Sequence, residues 1–180
     1  MLPIISIATH SELDEFLSVA RATYLETYSA MGEKPAGIVE AYVRELFTRE
    51  KYAPRFKEGE TSFPTLFLAR SNGKTVGYAG LDGGEIPHSV PNQKSIGFSG
   101  VFILKEFQGL GLGTGLYEAR VDLSKARGFS GAWLAVWNLN VRAIAFHERN
   151  GFKKVGEQDW TYTHSGKIWN CRDWVMAKDF

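Results

Sequence analysis

The stretch Ser95-Ile-Gly-Phe-Ser-Gly-Val-Phe-Ile-Leu-Lys-Glu-Phe-Gln-Gly-Leu-Gly-Leu-Gly-Thr-Gly-Leu116 decides the fold of this chain. Its first ten residues are largely apolar and predict a strand, and the glycines at positions 109, 111, 113 and 115 predict a turn that opens an amphipathic helix. Glycine lets the main chain come close to a ligand, and a helix N-terminus adds partial positive charge. The stretch therefore predicts a site where backbone N–H groups bind a pyrophosphate.

Two common phosphate-binding motifs do not fit this stretch. A Walker loop closes with Gly-Lys-Ser or Gly-Lys-Thr, and the stretch contains neither triplet. The dinucleotide fingerprint G-x-G-x-x-G also fails, because its last glycine position falls on Thr114 or on Leu116, depending on where the motif begins. Nucleotide triphosphate hydrolysis is disfavoured, and a dinucleotide-binding interpretation remains a near miss.

The glycine loop does fit a third pattern, Q/R-x-x-G-x-G/A, which begins here at Gln108. In this respect the chain resembles the GNAT family of N-acetyltransferases, in which the loop holds the pyrophosphate of acetyl-CoA. The resemblance implies a cofactor-binding loop made of Gln108, Gly109, Leu110, Gly111, Leu112, Gly113 and Thr114. Glycine-rich turns before helices are often only tight packing, so this loop alone does not decide between the two interpretations.

A second block strengthens the resemblance. The apolar run at residues 132–137 predicts a buried strand, and residues 140–152 follow the family pattern N-x-x-A-x-x-F-Y-x-x-x-G-F. The resemblance implies that Asn140 contacts the pantetheine arm of the cofactor and that the helix carrying Ala143 and Phe146 packs beside it. Asn140 is also well placed as a helix N-cap, and the two roles can coexist.

His147 departs from the family pattern, which has tyrosine at this position. In relatives the tyrosine often protonates the departing thiolate. A histidine with a pKa of about 6.5 can also donate a proton, so one interpretation makes His147 the general acid. In the other, His147 only fills the place of the tyrosine and water supplies the proton.

The resemblance also implies how the thioester is held. In this fold the strand with Val101, Phe102 and Ile103 separates from the strand at residues 134–136, and the pantetheine arm lies in the gap like an added strand. A backbone N–H near Phe102 or Ile103 would polarise the thioester carbonyl, and a neutral amine would attack directly. We expect no covalent enzyme intermediate.

The general base is not assigned by the sequence. Many relatives carry a glutamate on the strand before the loop, where this chain has Ser99 and Gly100. Ser99 could order a relay water. The nearby carboxylates by sequence are Glu26, Asp82, Glu85 and Glu106, each of which could also be a solvated surface acid.

The acceptor site carries no recognisable motif. Glu26 and Trp137 are the candidate contacts for the amine, because a carboxylate and an aromatic ring both attract a cation. Core packing is the alternative role for each of the five tryptophans. The aromatic residues of the C-terminal hairpin would also suit a homodimer contact.

Composition limits the class of protein. With 180 residues, 44% of them hydrophobic and 23% charged, the chain can bury one core, so we expect a single domain over residues 1–180. The net charge of +1 and the dispersed basic residues disfavour nucleic acid as a partner. No long apolar run or signal-like N-terminus is present, so neither a membrane partner nor secretion is expected, and a cytoplasmic location is predicted. The single cysteine, Cys171, suits a buried strand position, and no metal site is predicted.

The element order predicted from periodicity is β, α, α, β, β, β, α, β, α, β, β, which is also the order in the GNAT family. The fold class is therefore α/β (α+β), with a mixed, mostly antiparallel sheet of about seven strands and helices on both faces. Within the family, the strand at residues 132–137 and the ending at residues 175–178 are most similar to the PaiA-type polyamine acetyltransferases.

The function that this resemblance implies is transfer of an acetyl group from acetyl-CoA to a primary amine. The acceptor would be a polyamine, another small amine or a protein or peptide amine. The missing strand glutamate and the replaced tyrosine keep a second class open, a non-catalytic protein that binds coenzyme A for a regulatory or structural purpose.

Overall fold

The computed structural model describes residues 4–32, 34–56 and 64–180. The strands are β1 (Ile4–Ile7), β2 (Thr65–Ser71), β3 (Lys74–Asp82), β4 (Ser95–Ile103), β5 (Gly131–Trp137), β6 (Lys153–His164) and β7 (Lys167–Asp179). The helices are α1 (Leu13–Tyr28), α2 (Ile38–Leu46), α3 (Arg49–Tyr52), α4 (Leu112–Ala126) and α5 (Val141–Arg149). The short helix α3 was not expected from the sequence. Its N-cap, Thr48, accepts the N–H of Lys51 at 3.4 Å.

The strands form one sheet in the order β1-β2-β3-β4-β5-β7-β6. Every neighbouring pair is antiparallel except β4 and β5, which are parallel. The predicted mixed, mostly antiparallel sheet is confirmed. Its single parallel pair joins the two strands that carry the two sequence motifs, so both motifs lie at the middle of the sheet.

Two tight hairpins fix the register at either side of the sheet. Asn72 and Gly73 join β2 to β3, and Ser165 and Gly166 join β6 to β7; all four residues have positive φ. Two consecutive residues with positive φ are typical of the hairpin turn whose twist matches that of the strands. The β6–β7 hairpin is longer than its apolar pattern predicts, because its outer part is paired but only half-buried.

Both faces of the sheet are covered. Leu13, Phe16 and Phe47 belong to a buried cluster under α1 and α2. Leu116 and Phe152 belong to a second cluster, under α4 and α5. The sheet is therefore a middle layer, and an opening in it is bordered by α1 on one face and by α4 and α5 on the other.

Such an opening exists between β4 and β5. Their pairing covers only Ser95–Gly97 against residues 131–133, and beyond Gly97 the two strands separate. On its other edge β4 contains a bulge, because Ala79 pairs with Val101 while Gly80 pairs with Ser99, which leaves Gly100 unpaired. Gly100 has a φ of +49°, and an isolated glycine inside a strand is the usual sign of such a bulge. The gap between β4 and β5 is called the seam below.

Candidate functional site

The glycine loop lies at the end of the seam. Gly109 and Gly111 have φ values of +85° and +81°, which L side chains rarely adopt, and Gly111 is the N-cap of α4. A Cβ at either position would meet nothing within 4 Å. Glycine is therefore required here by the backbone conformation and not by crowding. The loop directs the free N–H groups of the first turn of α4 out of the protein.

The amides of β4 alternate between the two sides of the strand. Leu104 donates its N–H to the carbonyl oxygen of Val76 at 2.9 Å. Hydrogen-bonded and non-bonded pairs alternate in an antiparallel ladder, so the next bonded pair is Phe102 with Tyr78. The N–H of Phe102 is thus used by β3, although it was one of the two donors that the sequence suggested for the thioester carbonyl.

By the same alternation, the amide groups of Val101 and Ile103 point away from β3 and into the seam. The side chain of Gln108 confirms the direction for one of them, because its Nε2 donates to the carbonyl oxygen of Ile103 at 2.8 Å. Arg142 of α5 in turn donates to Oε1 of Gln108. Gln108 therefore connects the loop to β4 and α5, and the N–H groups of Val101 and Ile103 are the donors available in the seam.

The seam opens into a cleft of about 590 Å³. Most of the residues that the sequence predicted for the cofactor line it, namely Val101, Phe102, Ile103, Gln108, Gly109, Gly111, Gly113, Thr114 and Asn140. Two predicted loop residues do not. Leu110 is 60% exposed outside the cleft, and Leu112 turns its side chain into the core under α4.

Asn140 caps α5, as its sequence position suggested, and its contact with the pantetheine arm stays a prediction. Its Oδ1 accepts the N–H of Ala143 at 3.1 Å, which caps α5. The residue is 7% exposed and lines the cleft. Asn140 therefore places the start of α5 at the cleft.

His147 is not brought to the cleft. Residues of α5 that line the cleft are Arg142, Ala143, Phe146 and Arg149, whereas His147 points toward Phe152 and is 7% exposed. Burial, helped by the nearby charge of Arg120, lowers the pKa of His147 to about 3. The imidazole is neutral at pH 7. This geometry does not support the interpretation of His147 as a general acid, and it agrees with the alternative in which the histidine only fills the place of the tyrosine.

Ser99 and Trp137, two other residues selected from the sequence, also lie outside the cleft lining. The Ser99 hydroxyl lies so close over Gly80 of β3 that a Cβ there would be 2.4 Å from it. Trp137 is 5% exposed and packs against Tyr28 and Trp169, with ring centroids 5.8 Å away in each case. Trp137 therefore contributes to the wall behind the cleft, as the core-packing alternative had it.

Glu26 is the only carboxylate among the described residues that line the cleft. Its Oε2 accepts the backbone N–H of Lys105 at 2.8 Å, so α1 is tied to the end of β4 beside the seam. The other acids considered from the sequence, Asp82, Glu85 and Glu106, do not line the cleft. The carboxylate of Asp82 instead accepts the N–H of Gly84 at 3.1 Å within its own loop.

Sequence reasoning missed part of the site. Thr27 of α1 and, just after that helix, Ala30 and Met31 line the cleft together with three cations, Lys105, Arg142 and Arg149. Positions 142, 146 and 149 have the i, i+4, i+7 spacing of one helix face, so the two arginines could have been placed beside Phe146 from the sequence. Arg142 donates to Gln108 of the glycine loop, and Lys105 and Arg149 line the same cleft, which makes the cleft suited to a polyanion.

The parts of the chain that the structure describes contain neither a membrane-spanning helix nor a cluster of metal-binding side chains. No helix there is both long and apolar enough to cross a membrane. In residues 4–32, 34–56 and 64–180, no three or more His, Cys, Asp or Glu side chains come together as a metal site would require.

The fold and the glycine loop beside the seam agree with the acetyltransferase family that the two motifs indicated. Residues 25–152 match the model of the Acetyltransferase (GNAT) family. The chain therefore belongs to this family and is an acyl-CoA-dependent N-acetyltransferase, as its two motifs predicted.

Relatives in two distant organisms carry the same general description. An uncharacterised N-acetyltransferase from Lactobacillus delbrueckii subsp. lactis is 23% identical over 151 residues, which is 83% of each chain. An uncharacterised N-acetyltransferase from Methanocaldococcus jannaschii is 27% identical over 146 residues, which is 81% of this chain and 58% of that protein.

Solved structures share the fold over nearly the whole chain. The PaiA N-acetyltransferase from Thermoplasma acidophilum, solved in complex with coenzyme A, superposes with a TM-score of 0.77 at 19% identity and full coverage of both chains. The ribosomal-protein-S18-alanine N-acetyltransferase from Escherichia coli gives a TM-score of 0.68 at 19% identity, covering 99% of this chain and 94% of that one.

Proposed function

We propose that this protein transfers an acetyl group from acetyl-CoA to the primary amine of a small cationic acceptor, by direct attack in a complex that holds both substrates. The observation that carries the proposal is the cleft at the seam, which brings two chemically different sets of groups together. The first set is the glycine loop with three cations, and the second is the carboxylate of Glu26 near the end of α1.

The glycine loop and the three cations fit the phosphate groups of coenzyme A. N–H groups of the loop and of the first turn of α4 can donate hydrogen bonds to a diphosphate, and Lys105, Arg142 and Arg149 add positive charge. The PaiA neighbour was solved with coenzyme A, which supports the same ligand here. Bound acetyl-CoA supplies the acetyl group as an activated thioester.

The residues along the seam fit the rest of the donor. The outward amides of Val101 and Ile103 can bond an extended arm as a neighbouring strand would. One of these N–H groups can stabilise the negative charge that develops on the thioester oxygen. Phe146 of α5 and the cap at Asn140 border the same gap. A ligand in the seam would thus be held by backbone groups on one side and by α5 on the other.

Glu26 is the proposed contact for the acceptor. An alkylamine has a pKa of about 10.4 and arrives mostly as an ammonium ion, which a carboxylate attracts. One oxygen of Glu26 accepts the N–H of Lys105, and a carboxylate can accept at its second oxygen as well. Glu26 would therefore bind the ammonium and receive its proton, directly or through water, before the free amine attacks.

The test is a panel of amines assayed by thiol release from acetyl-CoA. We expect release above background with small diamines and polyamines, and a Glu26→Gln variant with at least a tenfold loss of kcat/KM for the amine at little change in the KM for acetyl-CoA. Glu106→Gln is the matched control, because Glu106 is an exposed acid near the seam that does not line the cleft.

Three outcomes separate the alternatives. Release with peptides that have a free N-terminal amine, but not with small amines, would replace the proposed acceptor with a protein or peptide. Coenzyme A binding without release across the whole panel would support a non-catalytic role. Equal loss in Glu26→Gln and Glu106→Gln would remove Glu26 from the acceptor site.

A further inference from the structure

Arg120 is the most unusual side chain in the molecule. It lies on the inner face of α4, is 1% exposed, and no salt bridge to a carboxylate is found for it in the described part of the chain. Burial lowers the pKa of its guanidinium to about 9, which still leaves it charged at pH 7. A buried charge without a counter-ion is costly, so its presence under the seam calls for a physical account.

Arg120 contacts β4. Its Nε donates to the carbonyl oxygen of Leu116 at 3.2 Å within the helix, and its Nη1 donates to the carbonyl oxygen of Gly100 at 3.4 Å. The guanidinium lies 4.3 Å from the centre of the Phe98 ring. Its Nη2 has no hydrogen-bond partner among the atoms that the structure describes. The charge is therefore held against the strand that borders the seam and is only partly satisfied there.

Gly100 is the bulge residue of that strand. Its φ is +49°, and a Cβ at this position would be 2.8 Å from the Phe102 ring, so no other residue fits without a shift. The peptide group that begins with the Gly100 carbonyl ends with the N–H of Val101. In a trans peptide these two groups point in opposite directions. Arg120 thus holds one end of the peptide whose other end is the N–H that Val101 presents in the seam.

We propose that Arg120 is a positioning residue for acyl transfer. It fixes the Gly100–Val101 peptide at the bulge and polarises it, so that the N–H of Val101 is a stronger donor to the thioester oxygen. Hydrogen bonds in a chain strengthen each other, and a charged donor at the carbonyl end increases the effect. In addition, a positive charge beneath β4 favours the negative charge that the oxygen acquires as the amine attacks. The inference rests on the proposed function.

A purely structural role makes different predictions. If Arg120 only filled space, an apolar side chain of similar length would serve as well, and replacement of a buried charge by an apolar group is often neutral or stabilising. If it were needed only for folding, its loss would lower stability and coenzyme A affinity together with turnover. A positioning role instead predicts that turnover falls while folding and cofactor affinity are retained.

The experiment compares Arg120→Met and Arg120→Lys with the wild type. The control is Ser124→Ala, one turn further along α4, where a buried hydroxyl donates only to the carbonyl oxygen of Arg120 at 2.6 Å. Isotope-edited infrared spectroscopy of acetyl-CoA labelled with carbon-13 at the thioester carbonyl reports polarisation in the binary complex and needs no amine. Titration with coenzyme A, thermal unfolding and steady-state kinetics complete the comparison.

We expect the carbonyl band of bound acetyl-CoA to shift to lower frequency in the wild type and in Ser124→Ala, and to shift less in Arg120→Met. The same variant should lose at least tenfold in kcat, with coenzyme A affinity within about threefold of wild type, and Arg120→Lys should recover part of both effects. Should Arg120→Met fail to fold, Arg120→Gln is neutral and polar and carries the same expectation.

An identical carbonyl band and a kcat within twofold of wild type in Arg120→Met would overturn the proposal. So would a fall in kcat matched by an equal loss of coenzyme A affinity, since that pattern belongs to a structural residue. Absence of acetyl-CoA binding by the wild type would instead refute the proposed function, so the two failures are distinguishable.

Discussion

The two sides of the seam are built in different ways. The donor side consists of the glycine loop, the start of α4 and one face of α5, and its residues are contiguous or at helical spacing in the chain. The acceptor side takes Glu26 and Thr27 from α1 and Met31 from the turn after it, with aromatic rings behind them from α2, β5 and β7. Local backbone geometry makes the first side, whereas long-range packing makes the second. The first can therefore be shared by many relatives while the second changes with the acceptor.

The largest expected effect tests the donor side. Gly111→Ala places a side chain at a φ of +81°, in space that is otherwise empty, so its cost arises from the backbone. The loop should relax from its present conformation, and the Kd for coenzyme A should rise at least tenfold, measured by calorimetric titration. The KM for the amine should change little, because the substitution does not alter the acceptor side.

The matched control for this substitution is Gly73→Ala in the β2–β3 hairpin. Gly73 has a φ of +77° and equally empty surroundings, so the cost in stability, about 1 kcal/mol, should be similar for the two variants. Coenzyme A affinity should fall in Gly111→Ala alone. An equal loss in both would mean that the loop acts through general stability and not as a binding surface.

A medium effect is expected at Asn140, where the two sides meet. Asn140→Ala removes the cap of α5 and should cost about 1 kcal/mol of stability together with a several-fold loss of coenzyme A affinity. Asn140→Asp keeps an oxygen that can accept the N–H of Ala143 but removes the amide donor. Thermal unfolding and titration of both variants separate the two roles: recovery of stability without recovery of affinity in Asn140→Asp would show that the amide itself contributes to binding.

The smallest effect on turnover is expected at His147. Its pKa is lowered to about 3 from an ordinary 6.5, so the unfolded chain binds the extra proton first as the pH falls. Wild-type stability should therefore decrease between pH 6.5 and pH 3, by up to about 1.4 kcal/mol per pH unit, and His147→Phe should lack this contribution.

The pH dependence of turnover tests whether His147 takes part in catalysis. Because the imidazole is buried outside the cleft lining, His147→Phe should keep kcat within about twofold of wild type, with the same profile between pH 6 and 9. Loss of an inflection near neutral pH in the variant would restore the general-acid interpretation.

Features that arise from short-range interactions could be predicted from the sequence, whereas those that depend on long-range packing could not. The seven strands and the loop at Gly109 and Gly111 follow from local signals, because periodicity and positive-φ glycines act over a few residues. The direction of His147 does not, since neighbouring positions on a helix differ by about 100° and a family pattern does not fix which of Phe146 and His147 faces the ligand. Glu26 could be proposed but not selected, because its position depends on how α1 packs on the end of β4.

The surroundings of the bulge at Gly100 also could not be predicted from the sequence. An isolated glycine inside a strand often marks a bulge, but the guanidinium of Arg120 beneath it could not be anticipated, because twenty residues separate the two in the chain. An arginine on an amphipathic helix is usually read as a solvent-facing residue. Only the packing of α4 against β4 shows that it is buried.

The short pairing of β4 with β5 has a consequence for the lifetime of the protein. Four strands lie on one side of this pairing and three on the other, and the strand ladder between them covers only Ser95–Gly97, extended by one bond from the N–H of Ser130 to the carbonyl oxygen of Lys94. A molecule that bridges the two halves adds contacts to the folded form and none to the unfolded one, so it stabilises the folded form by an amount that grows with the logarithm of its concentration. The amount of this protein in a cell should therefore follow the supply of the acyl donor that it consumes.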